Sequence, residues 1–241
     1  MAENSFANAK QQRMAAVQEA LKRTKMVTAK VWNPWPDGVA DKDVDLAAIT
    51  APVGSSSVPE VLPDNQVFSE LKRAQLISLG AAAGLGGAVT AENLAEAKKA
   101  LRKKYVQVGR ANYRSLESAN CTLFACCVIG MLADQPNLLG RDVKVELLNL
   151  PDLGGGGHAY VVVGRADGDY KNLKTYGPDC FVIDVWYARQ QSKAPGTSPV
   201  KDLSADSDSP FWDLNFYAFL DDGYNFLHKY TFVSHELAEL R

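Results

Sequence analysis

This chain of 241 residues is poor in the side chains that build covalent or metal frameworks. It has four cysteines, at 121, 126, 127 and 180, and three histidines. Cys126 and Cys127 are adjacent, so neither a CxxC pair nor metal-ligand spacing exists. So few cysteines in so long a chain make no disulfide framework, and a reduced protein is expected. Charge of either sign is not in excess: 26 Lys and Arg stand against 28 Asp and Glu. That balance gives no reason to expect nucleic acid or an anionic membrane as the main partner. No apolar run is long enough to span a bilayer, and the first residues lack the apolar stretch of a secretory signal peptide. The glycine run at 80–87 lacks the Lys-Ser/Thr of a P-loop and the order of GxGxxG. Asp206-Ser-Asp208 and Asp221-Asp222-Gly223 lack the spacing of a calcium loop. No metal and no cofactor is called for. No internal repeat is found.

What the chain does have is one stretch, residues 118–133, around which the rest is organised. From Leu123 to Ala133 every residue but Gly130 is apolar. A helix without a polar face is buried all round. Ser118 or Asn120 can cap it, which puts Cys121 at its N-terminus. That end is electropositive, and the thiolate is the nucleophilic form of cysteine. Buried free cysteines are also common core residues.

Before this stretch, residues 1–9 are small and polar and expected to be poorly ordered, and a weakly amphipathic helix follows over 9–25. Residues 31–65 hold five of the eleven prolines and read as a linker. Helices are expected over 63–79 and, capped by Thr90, over 91–108. After residue 137 the pattern turns to strands, over 143–147, 158–163 and 180–187, the last two joined by a long hairpin connection. Residues 190–210 read as a loop, and 211–220 with 224–233 as an aromatic hairpin or helix-strand pair. The expected domains are a leader and helix over 1–30, the linker over 31–65, and a catalytic domain over 66–241. Helices followed by hairpin-linked strands predict an α+β fold with an antiparallel sheet.

Three residues then stand out: Cys121, His158 and Asp184. His158 opens a buried strand after four glycines. Asp184 interrupts an apolar strand predicted to pair with it, where an unpartnered carboxylate is costly. Antiparallel neighbours can bring carboxylate and imidazole together, and the buried helix would present the thiol to the other ring nitrogen. This is nucleophile, base and orienter logic. Taken singly, each residue has a plain structural reading. His228 and His235 are read as structural or exposed, and Cys126, Cys127 and Cys180 as core.

The motifs Asn120-Cys121-x-x-x-Ala125, Gly157-His158-Ala159-Tyr160 with its apolar continuation, and Val182-Ile183-Asp184-Val185-Trp186 resemble the papain-like Cys-His-Asp module of bacterial toxins and effectors. That family includes mitogenic-toxin-like glutamine deamidases and effector cysteine proteases. The resemblance covers residues 112–190. Val185 stands where the family carries proline. The resemblance implies a papain-like fold in which the helix bearing Cys121 packs on an antiparallel sheet. Cys121 would be nucleophile, His158 base and acid, Asp184 orienter, and Trp186 a supporting residue. The Cys121 N–H would serve the oxyanion hole, with a side-chain donor from Asn120, Asn112 or Gln190. It further implies an effector that deamidates a Gln or Asn side chain of a host protein such as a small GTPase, G protein or ubiquitin-pathway protein. Such a protein would be secreted by a specialised system and would act in the target-cell cytoplasm. A cysteine protease, a transglutaminase and a non-catalytic binding module are the alternatives.

Overall fold

The computed structural model describes residues 2–31, 84, 86, 90, 92–150, 158–167, 176–190, 198–202 and 229–240. Within these the chain is α+β. Helix α1 (Ala2–Lys22) leads through a 3-10 turn (Lys25–Val27) to strand β1 (Lys30–Val31). Helix α2 (Leu94–Asn112), strand β2 (Ser118–Ala119) and helix α3 (Cys121–Asp134) follow. Then come β3 (Lys144–Leu150), β4 (His158–Val163), β5 (Phe181–Ile183), helix α4 (Val185–Gln190), β6 (Val200–Asp202), β7 (Lys229–Val233) and helix α5 (Ser234–Glu239). Five strands form one antiparallel sheet in the order β6-β5-β4-β3-β7. β1 and β2 form a separate parallel pair.

Helix α3 is the centre of the core. Every residue from Cys121 to Ala133 is buried, as an all-apolar helix requires. It packs on α2, β3, β4, α4 and α5. Its contact with α2 is made backbone to backbone. A Cβ on Gly109 would stand 1.8 Å from the Cys126 carbonyl oxygen, and one on Gly130 would stand 2.2 Å from the Gly109 carbonyl carbon. Asp134 closes the far end, accepting from Arg110 Nε at 2.6 Å and Tyr113 Oη at 3.0 Å, with Arg114 Nη2 at 3.1 Å. Partial burial pushes its carboxyl up, but these donors outweigh that and hold it below the usual range.

Strand alternation sorts the sheet into two faces. Tyr230 meets the Tyr105 ring edge-on at 4.9 Å between centroids, and Phe232 lies under the Arg102 guanidinium. Their ladder partners Leu147 and Val145, and beyond them Val161 and Val163, share this helix-facing side. Glu146, Tyr160 and Val162 take the other. There Glu146 and Arg165 form a buried ion pair, with Arg165 Nη2 donating to Glu146 Oε1 at 3.0 Å and the guanidinium lying over Tyr176.

Several expectations are corrected. Helix α1 begins at Ala2, within a segment expected to be poorly ordered, and its alanines favour that start. As its amphipathic pattern implied, Met14, Val17 and Leu21 pack into the same core as α3. Helix α2 starts at Leu94 with Asn93, not Thr90, before it; the Asn93 carboxamide instead accepts from the Thr90 N–H. It also runs on to Asn112, past the end expected at residue 108. The expected strand over 180–187 is three residues long and gives way to α4. β6 lies within the expected loop. β7 pairs with β3 and leads into α5. The linker beyond Val31, the helix over 63–79, the glycines at 154–157, and residues 211–228, His228 among them, lie outside the described residues.

Gly109→Ala or Gly130→Ala should each cost about 3 kcal/mol or more, because two helix backbones must separate to admit one methyl. Denaturant unfolding checks this. A loss below about 1 kcal/mol, the ordinary scale for a point mutation, would contradict the close crossing.

Candidate functional site

Asn120 caps α3. Its backbone is extended, and its Oδ1 accepts the Leu123 N–H at 2.9 Å. Cys121 is therefore the first helical residue, and it is 5% exposed. Its N–H is one of the first-turn donors that point out of the helix end. The other three cysteines are fully buried, Cys180 within reach of the charges of Glu146 and Arg165. Burial pushes the Cys127 thiol up to about 12 and raises Cys126 and Cys180 strongly as well.

Asp184 is buried, 1% exposed, directly after β5. The sequence reading put it inside a strand. Instead it caps α4: its Oδ1 accepts the Tyr187 N–H at 2.9 Å, and its carbonyl accepts the Ala188 N–H. Its own N–H donates to the Pro199 carbonyl at 2.8 Å. An Asp ahead of a short apolar segment is a helix-start signal as much as a strand interruption. Trp186 is buried in the first turn of α4.

His158 opens β4, its backbone in register with Leu150 of β3. β4 also pairs with β5, with Val161 opposite Ile183. Carried past the last ladder pair, that register sets Asp184 opposite Tyr160. Tyr160 senses it: burial, then Tyr176, then Asp184 push the phenol up. His158 stands two residues before Tyr160, at the opening of β4, and Asp184 follows the last residue of β5. Both positions lie at strand ends. α4 packs on α3 and on β1, and Arg189 Nε donates to the Ala29 carbonyl. β1 pairs with β2, which ends one residue before Asn120. The elements carrying Cys121, His158 and Asp184 are thus mutual neighbours.

The oxyanion candidates divide. Asn120 uses its amide oxygen as the cap of α3, which leaves the amide nitrogen as its side-chain donor. Asn112 sits in the last turn of α2, where Nδ2 donates to the Val108 carbonyl at 2.8 Å. Gln190 ends α4. His235 is exposed, with Nδ1 2.9 Å from Asp142 Oδ1. Among the described residues no group of three or more His, Cys, Asp or Glu is placed to hold a metal, and no helix is long and apolar enough to cross a membrane. No family model, curated protein or solved structure matches this chain.

The cap makes Asp184 separable by substitution. Asp184→Asn keeps an oxygen for the Tyr187 N–H and should leave stability close to wild type. Asp184→Ala should lose about 1 kcal/mol. Chemical unfolding of the two variants checks this, and an equal loss in both would show that the cap is not what the carboxylate supplies to folding.

Proposed function

We propose that the protein is a thiol-dependent amide hydrolase of papain-like type, an effector that deamidates a Gln or Asn side chain of a host protein. The observation that carries this reading is the placement of Cys121. It is the one cysteine of four at a helix N-terminus, on a helix packed against the strand that His158 opens. The buried Asp184 next to that strand supports it. So does the order of elements, with a cysteine helix, then a histidine strand, then an aspartate at the end of its antiparallel neighbour. The proline that the resembled family carries after its aspartate would fall at the first position of α4, which suits proline.

His158 opens β4 and Asp184 directly follows β5, and in this reading the thiol meets the imidazole at that end of the sheet. The Cys121 thiolate attacks the carboxamide carbon. His158 delivers a proton to the departing ammonia, then takes one from the water that hydrolyses the thioester. Asp184 holds the imidazole tautomer. The N–H groups at the start of α3 face the developing oxyanion.

Candidate GTPases, G proteins and ubiquitin-pathway proteins incubated with the protein test the reading by intact mass. The expected product is heavier by about one dalton with its chain uncut, the outcome of thioester hydrolysis at a side chain. Cys121→Ala and His158→Ala should each lower the rate on the order of 10⁴-fold or more, and the double variant should be no worse. Shorter fragments that depend on Cys121 would mean peptide-bond cleavage instead. Full turnover in Cys121→Ala would overturn both.

A further inference from the structure

Helix α1 reaches the strand next to Asp184 at two places. At one, Lys10 Nζ meets Asp202 Oδ1 at 2.7 Å, with side chains only 5% and 12% exposed, and Gln11 Nε2 donates to Asp202 Oδ2 at 3.0 Å. A lysine buried this deeply needs its partner, so the pair fixes how α1 sits along β6. At the other, Gln18 Nε2 donates to Ser198 Oγ at 2.7 Å. Ser198 Oγ in turn donates to the Val200 carbonyl at 3.0 Å and accepts the Val200 N–H at 3.2 Å. Between these residues lies Pro199, whose carbonyl accepts the Asp184 N–H. β6 is three residues long, with Val200 opposite Ile183 and Asp202 opposite Phe181. So short a strand has few ladder bonds of its own to hold its register.

We infer that α1 is a positioning element of the candidate site, with Gln18 holding the turn at Ser198–Val200 whose Pro199 carbonyl fixes Asp184. Its bearing on chemistry rests on the reading of Asp184 as the residue that orients His158. The segment expected to be a leader is then needed for the site, although it contributes no group to the reaction. Lys10 and Asp202 seat the helix, and Gln18 transmits its position to the turn.

Gln18→Leu in the full chain tests this, since it keeps side-chain volume and leaves the buried ion pair intact. Amide exchange at Asp184 and Val200 should rise roughly fivefold, the scale of one lost hydrogen bond, while β3 amides stay as they were. The pH profile of Cys121 alkylation by iodoacetamide should move with it. Lys22→Ala, on the exposed side of the same helix, should change neither. Unchanged exchange in Gln18→Leu would overturn the inference. So would faster exchange with a wild-type pH profile, which would make the contact merely structural. Asp184→Asn run alongside separates the two ideas: a wild-type profile there removes the reading of Asp184 on which the inference rests.

Discussion

A helix with no polar side cannot tolerate water anywhere along its length, and α3 imposes that condition on the whole molecule. The sheet covers one flank through Val161 and Leu147. Helix α2 covers another, and comes close enough only because Gly109 and Gly130 bring two backbones together without side chains. α4 and α5 complete the enclosure. The cost of leaving this surface wet, about 25 cal/mol for each Å² of apolar area, dwarfs the small propensities of the short elements around it. Three-residue strands and six-residue helices persist here because they are packed, not because they are stable alone.

Enclosure leaves α3 only its two ends for polar chemistry, and the ends are treated differently. Asp134 at the C-terminal end is bound by Arg110, Tyr113 and Arg114, a structural knot that ties α3 to α2. The N-terminal end has a cap, Asn120, and then a thiol. α4 packs against this helix, led by a carboxylate that is buried yet occupied as a cap. In the proposed reading that structural duty also holds the carboxylate still, as an orienting group must be held. Behind it lie β6 and α1.

The parts of this arrangement that were legible in the sequence are those set by strong local physics. The apolar run from Leu123 to Ala133, interrupted only by Gly130, predicted α3 and its burial, Asn120 was one of two candidate caps, and the segments 143–147 and 158–163 predicted β3 and β4. The α+β class followed from their order. Asp184 was misread because an apolar run of eight residues fits a strand and a strand-to-helix junction equally well, and only the cap bond to Tyr187 decides. β6 was hidden because its three residues carry no period; α1 and β5 hold it. The end of α2 was cut short because its final turns bury Val106 and Gly109 through tertiary contact, which propensity does not record. Nothing in the sequence showed that Gln18 and Lys10 reach residues 198–202.

The central claim is that Cys121 is a nucleophile served by His158. A glutamine-like chloromethyl ketone measures it most directly, with the labelled cysteine read by peptide mass and the rate compared across variants. Burial keeps Cys126, Cys127 and Cys180 as protonated thiols at neutral pH, so they should stay unlabelled. The account predicts labelling at Cys121 alone, slowed at least about a hundredfold in His158→Ala, the scale of a lost general base. Labelling of Cys121 at an unchanged rate in His158→Ala, or labelling first at one of the other three cysteines, would contradict it.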